Sequence, residues 1–496
     1  MSVRKIFIAL ALLVPCAAWA QFQGNERPAG DSTLVLSLED AIKIALSENT
    51  SVKVADMEIQ RLQYARKGTY ASLFPQVNGT GSYQRTIKKQ VMYMGGGDDS
   101  EGGGSSSMFS GILEPIEWYL NQLVAQHPGA IQPYVPEPTP ESDNSGGIAV
   151  GRLNTWSAGI SASMPLVNAQ LWESISLSAD QVELAVEKAR ESRLGTVTSV
   201  KQAYYAILLA KDAFEVYKQV YENAVENFRQ TEMKYNVQKA SELDLTRAKS
   251  NVAAAIPNVY NAESSVMLAL WQLKAVMGLD LEREIDVTGS LEDYAVTMFR
   301  DVNEGENAGL DRNTALRQLD MQAEQLAKTV RMQQYAYLPS LNLSFAYSFN
   351  AMTDNFKFSE YRWTPYSYVG LSLSIPIFSG GQRYYAIKQT RVQADELALQ
   401  RENTERQLRI GIRQSLQTMD TAMRTYDAAK DAAGTAQKAY DIAAKSYQVG
   451  KSTLTDLSNT ELTLTQTKLQ AVQAVYNFVV AKAGLEQTLG YDFTEE

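Results

Sequence analysis

The sequence is written twice, so any fold for it must be one unit used two times. Ser163-Met164-Pro165-Leu166 answers to Ser374-Ile375-Pro376-Ile377 at an offset of 211 residues. Tyr235-Asn236-Val237-Gln238-Lys239 answers to Tyr447-Gln448-Val449-Gly450-Lys451, Asp244-Leu245 to Asp456-Leu457, and Met277-Gly278-Leu279 to Leu489-Gly490-Tyr491, all at 212. Leu73-Phe74-Pro75 matches Tyr337-Leu338-Pro339 at 264, so the first copy carries about fifty extra residues between its first two landmarks. Those residues fall in 91–153, where Gly95-Gly96-Gly97, Gly102-Gly103-Gly104, Ser105-Ser106-Ser107 and a proline-rich stretch from Pro128 to Pro140 give a loop with little capacity to form a core. Its acidic cluster Asp98, Asp99 and Glu101 and its lone His127 read as solvated loop residues.

The copies share a helical pattern of unusual length. No proline occurs between Ala169 and Tyr235, and Val197, Val200, Tyr204, Ile207, Phe214, Tyr217, Tyr221, Ala224, Phe228 and Tyr235 recur in steps of three and four, with Lys211 and Thr231 as imperfect fillers. The second copy repeats the seam from Leu408 through Ile412, Leu416, Met419, Met423 and Tyr426 to Tyr440 and Tyr447. A helix of that span is about 100 Å long, far more than a globular core needs. Each long helix should turn and return as a shorter one, over about 241–277 and 453–489, which makes two helical hairpins. Pro257 is expected to kink or interrupt the first return helix. Shorter helices over about 38–72 and 312–337 lead into β segments, the first capped by Ser37 with Asp40 and burying Leu38, Ala41, Ile42, Ala45 and Leu46.

Four period-two segments are predicted, at 76–90, 154–165, 341–350 and 363–376. In the last three, small uncharged polar residues (Ser157, Ser161, Ser344, Ser348, Ser372) face one way and apolar ones (Ile160, Phe345, Tyr347, Val369, Leu371) the other, while the first alternates more weakly, with Val77, Gly79, Gly81, Tyr83 and Arg85 opposite Asn78, Thr80 and Ser82. Alternation alone fits a soluble half-buried sheet. A polar face without charges and aromatic residues near strand ends, at Trp156, Tyr361, Trp363 and Tyr366, fit a membrane barrel better. Four strands cannot close a barrel, and an open edge is not tolerated in lipid. Three copies give twelve strands with cyclic closure. The fold class expected is therefore mainly α with a membrane β-barrel part: duplicated coiled-coil hairpins forming an α-barrel tunnel, and four strands per chain in a shared trimeric barrel.

Composition narrows the function. Of 496 residues, 46 are Lys or Arg and 56 are Asp or Glu, a charge of −10 that offers nothing to neutralise nucleic acid. One His and one Cys leave no His/Cys metal site in one protomer, the sole histidine, His127, sits in the Gly/Pro-rich loop and offers no Ser/His/Asp or Cys/His set, and Gly95-Gly96-Gly97 lacks the context of a phosphate loop. No enzyme activity, catalytic residue, cofactor or metal is expected. Arg4 and Lys5, the apolar run Ile6 to Val14 and Ala18-Trp19-Ala20 read as a signal peptide over 1–20; a lipoprotein signal at Cys16 is the alternative. Loss of the leader leaves 44 basic against 56 acidic residues, a charge of −12, and no Cys for disulfides. No run of about 18 apolar residues follows.

The duplicated Leu-Pro entering a strand, Ser-x-Pro-Leu/Ile leaving one, and Tyr447-x-Val449-Gly450-x-x-Thr453-x-x-Asp456-Leu457 closing a hairpin resemble the TolC-like outer-membrane efflux channel family (outer membrane factors), over nearly all of the mature chain. The resemblance implies a homotrimer in the Gram-negative outer membrane with its helical part in the periplasm. It implies a passive exit duct for small molecules or polypeptides in a tripartite efflux pump or a type I secretion system, joined to an inner-membrane transporter by a periplasmic adaptor. The division implied is a first repeat over 21–276, an equatorial linker over 277–311 and a second repeat over 312–496.

Carried over residue by residue, the adaptor-contacting tips are Tyr235, Val237, Gln238 and Lys239 in the first turn and Tyr447, Val449, Gly450 and Lys451 in the second. The family's periplasmic gate uses a ring of carboxylates, and here Asp456 holds the first position, Asn459 replaces the second, and Asp244 is the counterpart after the first turn. A ring of Asp456 favours cations and binds multivalent ones, more weakly with Asn459 than with a second carboxylate. Helix N-terminal capping is the other reading of Asp456 and Asp244. The rival for the whole chain is a soluble periplasmic coiled-coil adaptor or scaffold.

Overall fold

The structure, a computed structural model, describes residues 34–92, 122, 148–296, 298 and 309–491. The expected leader with Cys16, the cluster Asp98, Asp99 and Glu101, and His127 lie outside the described residues. In chain order the elements are β1 (Leu34–Leu36), α1 (Leu38–Glu48), α2 (Thr50–Ala71), β2 (Gln76–Arg85), β3 (Gln90–Met92), β4 (Ile148–Val150), β5 (Asn154–Val167), α3 (Ala169–Asn236), α4 (Glu242–Met277), β6 (Ile285–Val287), α5 (Leu291–Ala295), α6 (Thr314–Tyr335), β7 (Ser340–Thr353), β8 (Thr364–Ser374), α7 (Gln382–Gln448) and α8 (Leu454–Leu489). The chain divides into two compact units, with the divisions falling inside α2, α3, α6 and α7.

The first unit is helical and holds the core. The expected seams are buried: Val197, Val200, Tyr204 and Ile207 on α3, and Ile412, Met419, Tyr426 and Ala429 on α7. All of these except Ala429 pack with Leu273 and Met277 of α4, Val475 and Phe478 of α8, and Ile42 of α1. The two-stranded parallel ribbon β1–β6 is tied to α3 by the Tyr204 hydroxyl, which donates to the Thr288 carbonyl (2.5 Å), and by Lys211, paired with Asp286 (2.6 Å). Ser37 caps α1 with Asp40 as expected, and Ala41, Ile42 and Ala45 are its buried face.

One sequence expectation for this unit needs correction. The helix expected over 38–72 is two helices, broken at Asn49. The Asn49 Oδ1 accepts from Ser51 N (2.7 Å) and Val52 N (3.3 Å), capping α2, while its Nδ2 donates to the Val276 carbonyl at the end of α4 (2.6 Å). Gly278, at φ +74°, lies so close to Glu48 that a Cβ would sit 2.7 Å from its carbonyl oxygen. The second copy repeats this joint. Asn313 Nδ2 donates to the Thr488 carbonyl (2.7 Å), its Oδ1 accepts from Leu316 N (3.0 Å), and Gly490 at φ +75° abuts Arg312. Of the kink or interruption expected at Pro257, the interruption is absent: the residue lies inside a continuous α4. Pro257 and Ala253, whose carbonyl the missing N–H would have reached, are both exposed, so water can take that hydrogen bond.

The second unit holds a four-stranded antiparallel sheet, in order β2-β5-β7-β8. Its register puts Ala162, Phe345 and Val369 in one row and Ile160 beside Tyr347, so the apolar residues share a face. That face is exposed: Val369 is 72 %, Leu371 67 % and Leu373 62 % accessible, whereas Ser344, Ser348 and Asn350 opposite are half-buried. Tyr83 near the end of β2, Trp156 near the start of β5, and Phe356, Phe358, Tyr361 and Trp363 between β7 and β8 form a chain of ring contacts 4.4–6.2 Å between centroids.

Strand ends shift from the expected positions for local reasons. β2 stops at Arg85, and Gln90–Met92 forms β3, which pairs with β4 inside the stretch read as loop. β5 runs past Pro165 to Val167 through a register shift, since Pro165 has no N–H to donate. β7 continues to Thr353 and β8 ends at Ser374, before Pro376.

Candidate functional site

The site is the pair of turns that close the hairpins, α3 to α4 and α7 to α8. Both long helices end the same way. Lys239 N donates to the Lys234 carbonyl (2.7 Å) and Gln238 N to that of Tyr235 (2.9 Å); Lys451 N donates to that of Ser446 (2.8 Å) and Gly450 N to that of Tyr447 (3.1 Å). This terminator needs one left-handed residue. In the second turn it is Gly450 (φ +80°); in the first it is Gln238 (φ +59°), the only non-glycine residue with positive φ among the described residues.

The return helices start with matching capping boxes. Asp244 N donates to Ser241 Oγ (3.1 Å), and Asp244 Oδ2 accepts from Ser241 Oγ (2.7 Å) and N (3.4 Å). Asp456 N donates to Thr453 Oγ1 (3.2 Å), and Asp456 Oδ2 accepts from Thr453 Oγ1 (2.6 Å) and N (3.1 Å). The hydroxyl and the backbone N–H of Thr453 hold the Asp456 carboxyl below its usual value. Both carboxylates thus cap helices in the structure. Asp456 is also exposed, and Asn459 is exposed on the next turn of α8.

The tips differ in how the preceding tyrosine is used. Tyr235 is 38 % accessible, while Tyr447 is 7 % accessible and packs with Ala248, Leu454 and Leu457. Thr231, which only half-fits an apolar seam, explains the difference: it is fully buried, its Oγ1 donates to the Asn227 carbonyl (2.7 Å), and the Tyr447 hydroxyl reaches it at 2.5 Å. Lys234 lies over the Tyr447 ring, 3.9 Å from its centroid, and donates to the Tyr447 carbonyl; burial lowers the ammonium's pKa. Asn251 Nδ2 donates to Ser458 Oγ (3.0 Å), joining the two return helices. Sequence reading missed Thr231, Lys234, Asn251 and Ser458, and of these only Thr231 carried a signal, as a hydroxyl in an apolar slot. Val237, Gln238, Lys239, Val449, Gly450 and Lys451 are exposed at the two turns.

Against known proteins, a model of the outer membrane efflux protein family matches residues 139–279 and 307–491, well over half of the chain. The chain is 22% identical over 348 residues to the outer membrane protein TolC of Escherichia coli strain K12, covering 68% of this chain and 70% of that protein. Among solved structures it is similar to the Campylobacter jejuni CmeC outer membrane channel (TM-score 0.64, 17% identity, 91% of this chain and 85% of that one). It is equally similar to the outer membrane protein VceC from Vibrio cholerae (TM-score 0.64, 16% identity, 91% and 96%). The matched ranges take in parts of both copies of the duplicated unit, the strands β5, β7 and β8 and both hairpin turns, and by them the chain belongs to the outer membrane efflux protein family.

Proposed function

We propose that the chain is one of three identical subunits of a passive duct that leads cargo out across the outer membrane, as the exit channel of a tripartite efflux pump or a type I secretion system. The observation that carries this reading is an apolar sheet face open to solvent, with Val369, Leu371 and Leu373 exposed while Ser344, Ser348 and Asn350 on the other face of β7 are half-buried. Among the described residues the sheet's outer strands β2 and β8 are each paired on one side only. An edge of that kind needs a partner in lipid, and a second copy's β2 on β8 supplies it without new chemistry. Three copies then share twelve strands around a polar lumen. In this reading the repeats 21–276 and 312–496 each bring two strands and one hairpin, and 277–311 links them.

The tips Tyr235, Val237, Gln238, Lys239, Tyr447, Val449, Gly450 and Lys451 meet a periplasmic adaptor, which connects the duct to an inner-membrane transporter. Asp456, with Asn459 and Asp244, lines the periplasmic gate. Capping uses one oxygen of each aspartate and leaves the net charge in place, so a cap and a cation-attracting ring are compatible.

The test is the size of the detergent-extracted protein by light scattering, corrected for bound detergent, with single-channel recording on the same sample. A trimer with discrete conductance supports the duct. A detergent-independent monomer without conductance rejects it in favour of a soluble coiled-coil scaffold. For the gate, Asp456→Ala should weaken block by Mg2+; unchanged block leaves capping as the whole role of the residue.

A further inference from the structure

The packed seam near the hairpin turns contains a carboxylic acid in an apolar slot. On α8, Leu454, Leu457, Glu461 and Leu464 follow one another at steps of three and four, and the three leucines are buried. Glu461 therefore stands where a fourth leucine belongs. Its Oε1 is buried and makes no hydrogen bond among the described residues. The groups that act on this carboxyl come from two other helices. The Asn223 amide of α3 hydrogen-bonds to it, with its own Oδ1 engaged by Gln219 Nε2 at 3.0 Å. The Tyr440 phenol of α7 is pushed up to about 12 by burial, by Glu461 and by Asp441. α4 joins the seam through Ala248 and the Asn251–Ser458 bond and adds no charge that acts on Glu461. Among the described residues no lysine or arginine offsets the acid. Burial accordingly raises the carboxyl above its usual range.

A buried carboxylate with one unpaired oxygen is costly, whereas the neutral acid fits the slot and keeps its bond to Asn223. We propose that Glu461 is a proton-operated latch: protonated, it lets α8 close against α3 and α7; ionised, it drives the start of α8 away from them. Asp456 lies five residues earlier on the same helix, so the latch sets the position of the gate carboxylate, a step that rests on the duct reading. Glu461 is a positioning residue, since it acts through the helix that carries Asp456.

The sign follows from the raised pKa. The acid's contribution to stability is complete below the ordinary glutamate value of 4.5 and is lost as pH rises through the elevated one. Within that window each copy lowers the folding constant by up to about tenfold per pH unit.

The experiment compares the full-length protein with Glu461→Gln and Glu461→Leu, two neutral replacements of which the second restores the seam pattern. Melting temperature in detergent and bilayer conductance are both followed from pH 5 to 8. The native protein should lose melting temperature and gain conductance as pH rises, and both variants should change less in both readouts, keeping only the share that other raised carboxyls such as Asp212 contribute. Variants that keep the native pH profile in melting temperature overturn the latch. Flattened melting with an unchanged conductance profile overturns its link to the gate. Flattened melting with no conductance in any of the three proteins keeps the latch and rejects the duct instead.

Discussion

Gln238 holds a backbone conformation that Gly450 adopts freely in the matching turn, and the contrast sets a first prediction. A left-handed non-glycine residue costs about 1–2 kcal/mol, and the larger entropy that glycine loses on folding returns about 0.5–1 kcal/mol of that. Gln238→Gly should therefore raise the melting temperature slightly, by a net ~0.5–1 kcal/mol; a lower value would mean that the glutamine side chain makes a compensating contact. Tyr447 supplies a second. Thr231 Oγ1 already donates to the Asn227 carbonyl, so in their bond the Tyr447 hydroxyl is the donor. Tyr447→Phe removes that donor while Thr231 keeps a partner, and the loss should be about 0.5–1.5 kcal/mol, read from denaturant unfolding with the m-value unchanged. A loss near 3 kcal/mol would show instead that Lys234 and the ring are displaced as well.

Among the elements, α8 depends on its first turn. Thr453→Ala removes the hydroxyl half of the capping box and should cost about 1 kcal/mol. Amide hydrogen exchange at Asp456 should quicken, because that N–H bonds to the missing oxygen. Asp456 has a lowered pKa, so its share of the cap is present above the ordinary value of 3.8 and is lost as pH falls through the depressed one. Exchange that is equally fast in the native protein at neutral pH would show that the cap is open in solution. These elements differ in how plainly the sequence announced them. The long helices and the polar-apolar alternation of the strands were legible because each is a period repeated many times. Asn49 was not, because its effect depends on the Val276 carbonyl, 227 residues away, and only its recurrence as Asn313 at the 264-residue offset marks it as a joint. The strand ends at Thr353 and Val167 depend on what lies opposite them in β5 and β7, which no single segment reveals. At the site, the aspartates and turns were legible as repeated motifs, whereas Thr231, Lys234 and Glu461 matter only through helices brought beside them by the fold.

For the molecule as a whole, membership of an outer-membrane family and the exposed apolar face lead to a paired prediction. Leu371→Lys places a charge on that face and should reduce insertion, at about 2–4 kcal/mol if the residue lies near the bilayer midplane. Ser372→Lys, one residue on and facing the other way, should insert normally and shift the channel's ion selectivity toward anions. Equal insertion of both would contradict a lipid-facing Leu371. The differing tips carry the last consequence. A trimer built from this chain presents six hairpin ends around its axis, and they alternate: one kind has a strained glutamine and an exposed tyrosine, the other a glycine and a tyrosine locked to its neighbour. If an adaptor docks on both turns, as proposed above, it meets two classes of seat, and a single adaptor species should then show two binding affinities.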